Sequence, residues 1–422
     1  MKTTKKLFAL FLAFTLLFLT ACNNNPTDST TTGTGTDTGT SNSQNQGTTD
    51  NAEDQDTIIY NRTWSCIDLP SRVVYNSNKV YYYSKADGKA YVYCFDPLCK
   101  HTDGFCLAQP SNAEVPDWNL QCTFFINNRF YTVTLLGQVV SFSFDGTDKK
   151  IEYDAGYDLS MASQIGWSSN TTFYGQYIYI DQRTDEKGNP HTLRFNTETG
   201  EMEDLTEKSG NYILPCFFYN GELYGRDENL LWVKSDINLV SFEQIEKIPI
   251  SRYWSGSCFF GPAKDDKWNT VGVEIYDMKT GESMVIPNSA FGVSDGVVVE
   301  LVCVDENYLY YYHKKQELVG YYPHPKTGEF MPKYRINDGK LYRANHDGTN
   351  AVCIYDDPDP GYEFLSTEGA YIAVVFDDQI LINGQYWSVI DGIATSRSSG
   401  LLSGTIGADG KIDGLKPVEV VE

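Results

Sequence analysis

A turn followed by a short aromatic strand recurs through this chain: "NSNKVYYY" (76–83), "INNRFYTV" (126–133), "YGQYIYI" (174–180), "YNGELYG" (219–225), "DENYLYYY" (305–312) and "EGAYIAVV" (368–375). A marker three residues past each turn falls at Tyr81, Tyr131, Tyr179, Tyr224, Tyr310 and Ile372, in steps of 50, 48, 45, 86 and 62. The step of 86 is close to two units, and "GSCFFGPAKDDKWN" (256–269) fills the gap. A self-similar period of this size points to stacked supersecondary units. Each unit holds a second element, an alternating strand running into a turn: "KAYVYCFDP", "QVVSFSFDGTDKK", "HTLRFNTETGE", "LLWVKSDIN", "VGVEIYDMKTGE", "KLYRANHDGTN" and "QYWSVIDG". Alternation marks half-buried strands, and Asp-Gly and Thr-Gly pairs close hairpins. No segment after residue 57 carries a helical period, and Tyr (30) and Phe (22) are abundant. Four short antiparallel strands per unit predict an all-β fold, a β-propeller of seven blades over 57–422. Six blades remain open because the fifth unit lacks the Asn-Gly strand. A pair of β-sandwiches accounts less well for the period. The end, "LKPVEVVE", is placed to pair with the first strands and close the ring.

The "NG-x-L-Y" strand joined to a "Y-x-x-D-G-T" turn resembles TolB-like and YncE-like propellers, above all lipid-anchored propellers of Firmicutes. The likeness covers 57–422 together with the leader. It implies a fold and carries no catalytic residues.

That leader comes first in the chain. Lys2, Lys5 and Lys6 precede a 13-residue apolar run from Leu7 to Leu19. The run is too short to span a bilayer and right for a secretory signal. Leu19-Thr20-Ala21-Cys22 resembles a lipobox, which implies cleavage after residue 21 and acylation of Cys22. Residues 23–56 hold no Leu, Ile, Val or aromatic side chain, so 22–56 is expected to be a lipidated cysteine on a disordered tether. The expected address is extracytoplasmic, with the membrane as a partner through the lipid.

Charge narrows the partners further. The chain has 33 basic and 56 acidic residues. Without the leader lysines and the six acids of the tether, 57–422 carries about −20. Such a body repels nucleic acid, and nucleic-acid binding is excluded.

"CFDPLCKHTDGFC" (94–106) gathers three cysteines and a histidine. Register with "VVSFSFDGTD" sets Cys94 level with Ser143, in an enlarged turn of the first blade. Three readings arise. Cys94, Cys99, His101 and Cys106 form a thiolate-rich set suited to zinc, although the close C-x2-C knuckle is missing. A reactive thiol gains little from Asp96 and Asp103. A disulfide framework drawn from Cys66, Cys94, Cys99, Cys106 and Cys122 fits an exported chain and is preferred, with Cys99–Cys106 as one bridge and Cys94 joined to Cys66 or Cys122, and Cys94–Cys99 with Cys106–Cys122 as the alternative pairing. Nine cysteines besides Cys22 make an odd number, so at least one stays unbridged. Cys216, Cys258, Cys303 and Cys353 lie in apolar strands as small hydrophobes.

Ligand candidates come from the connections between second and third strands. Those at 181–191, 262–270 and 313–339 are long and carry Arg183, Lys187, His191, Lys264, Lys267, Trp268, His313, Lys314, Lys315, Tyr321, Tyr322, His324 and Arg335. Aromatic faces stack on sugars and cations steer acidic groups, which predicts recognition of an extracellular glycan, peptide or protein. Neither G-x-S-x-G nor H-E-x-x-H nor a phosphate loop is present. Asp265-Asp266 and "DDPDPG" (356–361) lack a calcium ligand ladder and read as solvated turns. No cofactor is expected. A non-catalytic binding module leads, and a glycosidase or lyase on the same scaffold is the rival.

Overall fold

A computed structural model of the chain describes residues 57–60, 66–76, 79–94, 98–99, 122–134, 136–143, 148–157, 166–185, 187–251, 253–293, 296–324, 326–356, 362–364, 373–391 and 393–421. These residues form a propeller of seven blades, each built on four antiparallel strands. Blade 1 runs Cys66–Leu69, Arg72–Asn76, Val80–Ser84 and Lys89–Val92. Blade 2 comprises Thr123–Ile126, Arg129–Val133, Gln138–Ser143 and Lys150–Asp154. Blade 3 follows with Trp167–Tyr174, Tyr177–Gln182, His191–Asn196 and Met202–Asp204. Blade 4 has Leu214–Tyr219, Glu222–Arg226, Trp232–Ser235 and Phe242–Gln244. In blade 5 the strands are Tyr253–Ser255, Cys258–Lys264, Thr270–Asp277 and Glu282–Pro287. The fifth unit is therefore a full blade, and the count is seven.

Blades 6 and 7 are longer. Blade 6 uses Val298–Val304, Tyr308–Pro323, Lys340–Asn345 and Val352–Asp356; blade 7 uses Ala373–Phe376, Gln379–Ile390, Ile393–Ile406 and Ile412–Pro417. The seventh unit corrects the sequence register. "EGAYIAVV" ends in the first strand of its blade, not the second, and "QYWSVI" continues the second strand, where a third was expected. The second-to-third-strand connection of blade 7 is a tall hairpin, which displaced the period.

Radial order follows from burial. First strands such as Thr123–Ile126 are buried throughout, while fourth strands such as Phe242–Gln244 are exposed. Aromatic pairs bridge neighbouring blades: Tyr93 with Phe130, Phe124 with Phe173, Tyr179 with Phe218 and Phe217 with Phe259, at centroid separations of 6.1, 5.4, 4.9 and 5.1 Å. Edge-to-face and tilted geometries of this kind add to burial, which accounts for the Tyr and Phe content. The first-to-second-strand turns hold Asn127, Asn128, Asn220 and Asp377 at positive φ, as tight hairpins between twisted strands require.

Both ends of the described chain are built into the ring. Ile59–Tyr60 pairs antiparallel with Leu214–Tyr219, the innermost strand of blade 4, and so lies on its channel side. Val420–Val421 pairs with Lys89–Val92 at the outer edge of blade 1, as anticipated for the chain's end. This pairing is parallel, and Lys89 Nζ meets Glu419 Oε1 at 2.9 Å beside it.

Strand alternation divides the turns between two faces. Turns from first to second strands share one, and turns from second to third strands lie on the other. Ile59–Tyr60 runs opposite to Leu214–Tyr219, so the chain comes in from the face of the first-to-second turns. The Ile58 N–H donates to the Gly256 carbonyl, in such a turn of blade 5, at 2.9 Å. We call this the entry face and the other the hairpin face. Among the described residues no helix is long and apolar enough to cross a membrane; a five-residue helix, Leu205–Ser209, is capped by Asp204 and Gly210.

Candidate functional face

On the hairpin face, blades 2 to 5 repeat one five-residue turn: Thr134–Gln138, Asp185–Asn189, Asp227–Leu231 and Asp265–Asn269. In each, the first residue's N–H donates to the fifth carbonyl, and the fourth N–H donates back to the first carbonyl. The first side chain also accepts from the fifth N–H, at 3.1, 2.9, 2.8 and 2.8 Å in turn. Short oxygen-bearing side chains at the first position suit this bond. Backbone donors hold Asp185 well below the usual carboxylate range, at about 2, and lower Asp265, where the Asn269 side chain contributes first.

The fourth position is left-handed in all four turns. Gly137 and Gly188 fill it in blades 2 and 3, with φ of 79° and 87°, where glycine is free to go. Leu230 and Trp268 fill it in blades 4 and 5, with φ of 63° and 66°. For a side chain bearing a Cβ, that conformation costs roughly 1–2 kcal/mol. Neither is repaid by burial, since Leu230 is 65% and Trp268 82% exposed. Backbone outliers that packing does not explain cluster where a protein makes contacts.

In blade 6 the same connection grows into a hairpin. The segment 313–339, expected as a loop, continues the second strand to Pro323 and returns as Phe330–Asn337. Its turn is closed by the His324 N–H to the Glu329 carbonyl, 2.8 Å, and by Gly328 at positive φ. Register pairs Leu318 with Tyr334, Tyr321 with Pro332 and Pro323 with Phe330 on one side of the hairpin. Leu318, Tyr321, Phe330 and Tyr334 are exposed there, a purely apolar and aromatic stripe. The blade 7 hairpin stands beside it through a parallel bridge, Tyr321 to Ile393, and Tyr362–Phe364 adds to its flank.

The expected ligand residues divide by environment. Arg183, Lys187, Lys264, Lys267 and Trp268 are exposed on the turns of blades 3 and 5, with Lys264 Nζ bonded to Thr270 at 2.7 Å. Tyr321 and Tyr322 are exposed on the blade 6 hairpin, as is Lys315 at its base. Arg335 lies in register with Glu317. His324 Nδ1 accepts from the N–H groups of Lys326 and Thr327, which folds the tip. Lys314 is engaged with Glu300 at 2.9 Å. His191 fastens the blade 3 turn, with Nδ1 2.7 Å from Asp204 and Nε2 3.4 Å from Asp185. His313 lies inside blade 6, stacked 3.9 Å from Tyr342, and burial lowers its pKa. The face thus keeps its exposed cations and aromatics, while four of the expected residues, His191, His313, Lys314 and His324, are occupied in holding it together.

Within the cysteine cluster, Cys94 and Cys99 pack against the buried group around Cys66. Cys122 belongs to a different cluster, between blades 2 and 3. No disulfide joins two described cysteines; Cys106 and His101 lie outside the described residues, as does Cys22. Among the described residues no group of three His, Cys, Asp or Glu is arranged to hold a metal ion.

No protein-family model and no curated protein matches the sequence. Solved structures do. An oligogalacturonate lyase from Vibrio parahaemolyticus is 11% identical over 87% of this chain and 94% of its own, with a TM-score of 0.39. The propeller domain of the trilobed protease of Pyrococcus furiosus is 10% identical over 84% and 94%, at 0.37. TolB from Agrobacterium tumefaciens is 12% identical over 68% and 76%, at 0.25. Superpositions at these scores say nothing about activity, and the strand pairing itself carries the fold.

Proposed function

We infer that this chain is an extracytoplasmic, lipid-anchored propeller that acts by binding, with its ligand on the hairpin face. The observation that carries the reading is the concentration of exposed aromatic and cationic side chains there, two of the apolar ones held in left-handed turns. Anchoring at Cys22 rests on the lipobox-like leader and the polar stretch behind it. The route of the chain agrees with such display, because residue 57 comes in from the entry face and leaves the hairpin face on the far side. The ligand class is an extracellular glycan, peptide or protein. A carbohydrate-active enzyme on the same scaffold is the second reading, favoured only by the aromatic stripe.

The test is a glycan and peptide array probed with the unacylated chain, residues 23–422, followed by product analysis of every hit. Ligand retained unchanged supports the binding reading. Released product transfers the chain to the enzymatic reading, and an array without hits removes the ligand assignment from this face.

A further inference from the structure

We propose that the blade 6 hairpin binds a neutral polysaccharide in extended form, laid along the side where Tyr321, Phe330 and Tyr334 stand exposed. The proposal rests on the reading of the hairpin face as the binding surface, and names both the ligand and the part of the face that takes it.

The pairing of the two strands builds a ladder on that side. Its rungs are Pro323 with Phe330, Tyr321 with Pro332 and Leu318 with Tyr334. Five of these six side chains are rings, none is charged, and all six are exposed. Same-side positions of a strand recur about every 7 Å, so Phe330, Pro332 and Tyr334 follow one another in a straight row. Tyr322, Met331 and Lys333 belong to the other side, which strand alternation keeps apart from this one. Apolar surface contiguous along a projecting element marks a place of contact.

The occupant follows from the shape of the row and its lack of charge. Flat rings in line offer stacking faces to the successive sugar units of an extended chain. An uncharged row on a strongly anionic body draws no acidic ligand, and a neutral polymer meets no repulsion there. A second copy of this chain would bring a like net charge against it. A peptide added as a further strand needs an open edge, and the returning strand presents Pro332, which has no N–H, and Lys333. A protein hot spot sits in a desolvated pocket, whereas Tyr322 and Met331 are exposed too, so the hairpin projects with both sides bare. A bilayer is disfavoured by the chain's entry on the opposite face.

Binding of the unacylated chain, residues 23–422, to glucomannan, galactomannan and xyloglucan is measured at low and high salt. Alginate and dextran serve as comparisons, and thermal melting is followed alongside. At least one of the neutral extended polymers is expected to bind, with an affinity that salt leaves unchanged, and alginate and dextran more weakly. Phe330→Leu and Tyr334→Leu keep apolar surface and remove the ring; each is expected to weaken binding about tenfold at an unchanged melting temperature. Phe330→Tyr and Tyr334→Phe keep most of the affinity. The proposal is overturned if no extended polymer binds, if alginate or dextran binds as tightly, or if both leucine variants retain wild-type affinity. Affinity lost in Phe330→Tyr and Tyr334→Phe as in the leucine variants overturns it as well. A peptide hit on the array with the polysaccharides silent would sink this proposal and leave the binding role of the face standing.

Discussion

His346 shows how a single side chain ties two blades together. Its Nε2 lies 2.9 Å from the Asp305 carbonyl, and its ring rests 4.7 Å from that of Phe260 in blade 5. Burial lowers its pKa below 6.5, as it does for His313. A group with a depressed folded pKa contributes stability that is present above its unfolded pKa and lost as pH falls through the folded value. Thermal stability should therefore drop as pH descends from about 6.5, and His346→Phe should flatten that slope by its own share. An unchanged slope in the variant would reject the assignment. The second residue of this kind is Lys85. Its Nζ meets Asp68 at 2.7 Å and lies 4.3 Å from the Phe376 ring of blade 7, and the Asp68 side chain is only 2% exposed. Lys85→Ala removes the ion pair of that buried carboxylate and the contact with Phe376 at the seam where the ring closes. A loss of about 3 kcal/mol or more is expected, read by denaturant unfolding; a loss within the range of surface substitutions would contradict it. Neither ring contact, His346 with Phe260 or Lys85 with Phe376, could be foreseen, because each crosses between units that the period alone does not pair.

Among the elements, short strands and tight turns were legible because they obey local rules. Alternation and the Asn-Gly, Asp-Gly and Thr-Gly pairs place the strands of blades 2 to 4 within a few residues. What escaped were the departures from the unit. "HKKQELVGYYPHPKTGEFMPKYRIN" reads as a loop because its lysines and prolines dilute the alternation, yet "KTGE" is a hairpin turn and the aromatics on either side pair. The left-handed Leu230 and Trp268 were hidden for another reason: nothing in "DENLL" or "DDKWN" signals positive φ until the turns are set beside "DEKGN" and "TLLGQ". The face was read from its composition, and its geometry came from register. One element carries a sharp test. Gly225 lies in the second strand of blade 4 opposite a bulge at Pro215–Phe217, and a Cβ there would run into the Leu214 carbonyl oxygen and the Ile213 side chain. Gly225→Ala should cost 1–3 kcal/mol, roughly the toll of overpacking, and wild-type unfolding would show that the bulge yields.

For the molecule as a whole, the period of 45 to 50 residues foretold the ring, and its irregular steps foretold where the ring is elaborated. The step of 86 conceals a blade whose signature had drifted, and the step of 62 was stretched by hairpin insertions. Cys22→Ala should leave unprocessed precursor without acyl label, and wild-type processing would end the anchoring proposal. Intact mass before and after reduction of the unacylated chain decides the cysteine framework. Cys66, Cys94 and Cys99 share one cluster and Cys122 lies in another, with no bridge among the four; a gain of two protons per bridge on reduction would support the framework, and an unchanged mass would reject it.

The inner strand Ile59–Tyr60 also determines how the molecule would bear mechanical load. Tension arriving from the N-terminal side meets two residues bonded along the innermost strand of blade 4, and the Ile58 bond to Gly256. The ring seam, where Val420–Val421 grips blade 1, is attached to the other end of the chain and lies off that line of force. A pull is therefore taken up first by stripping a short clip from the channel wall, while the seven blades stay closed. The clip would work as a fuse, yielding before the hairpin face on the far side is disturbed.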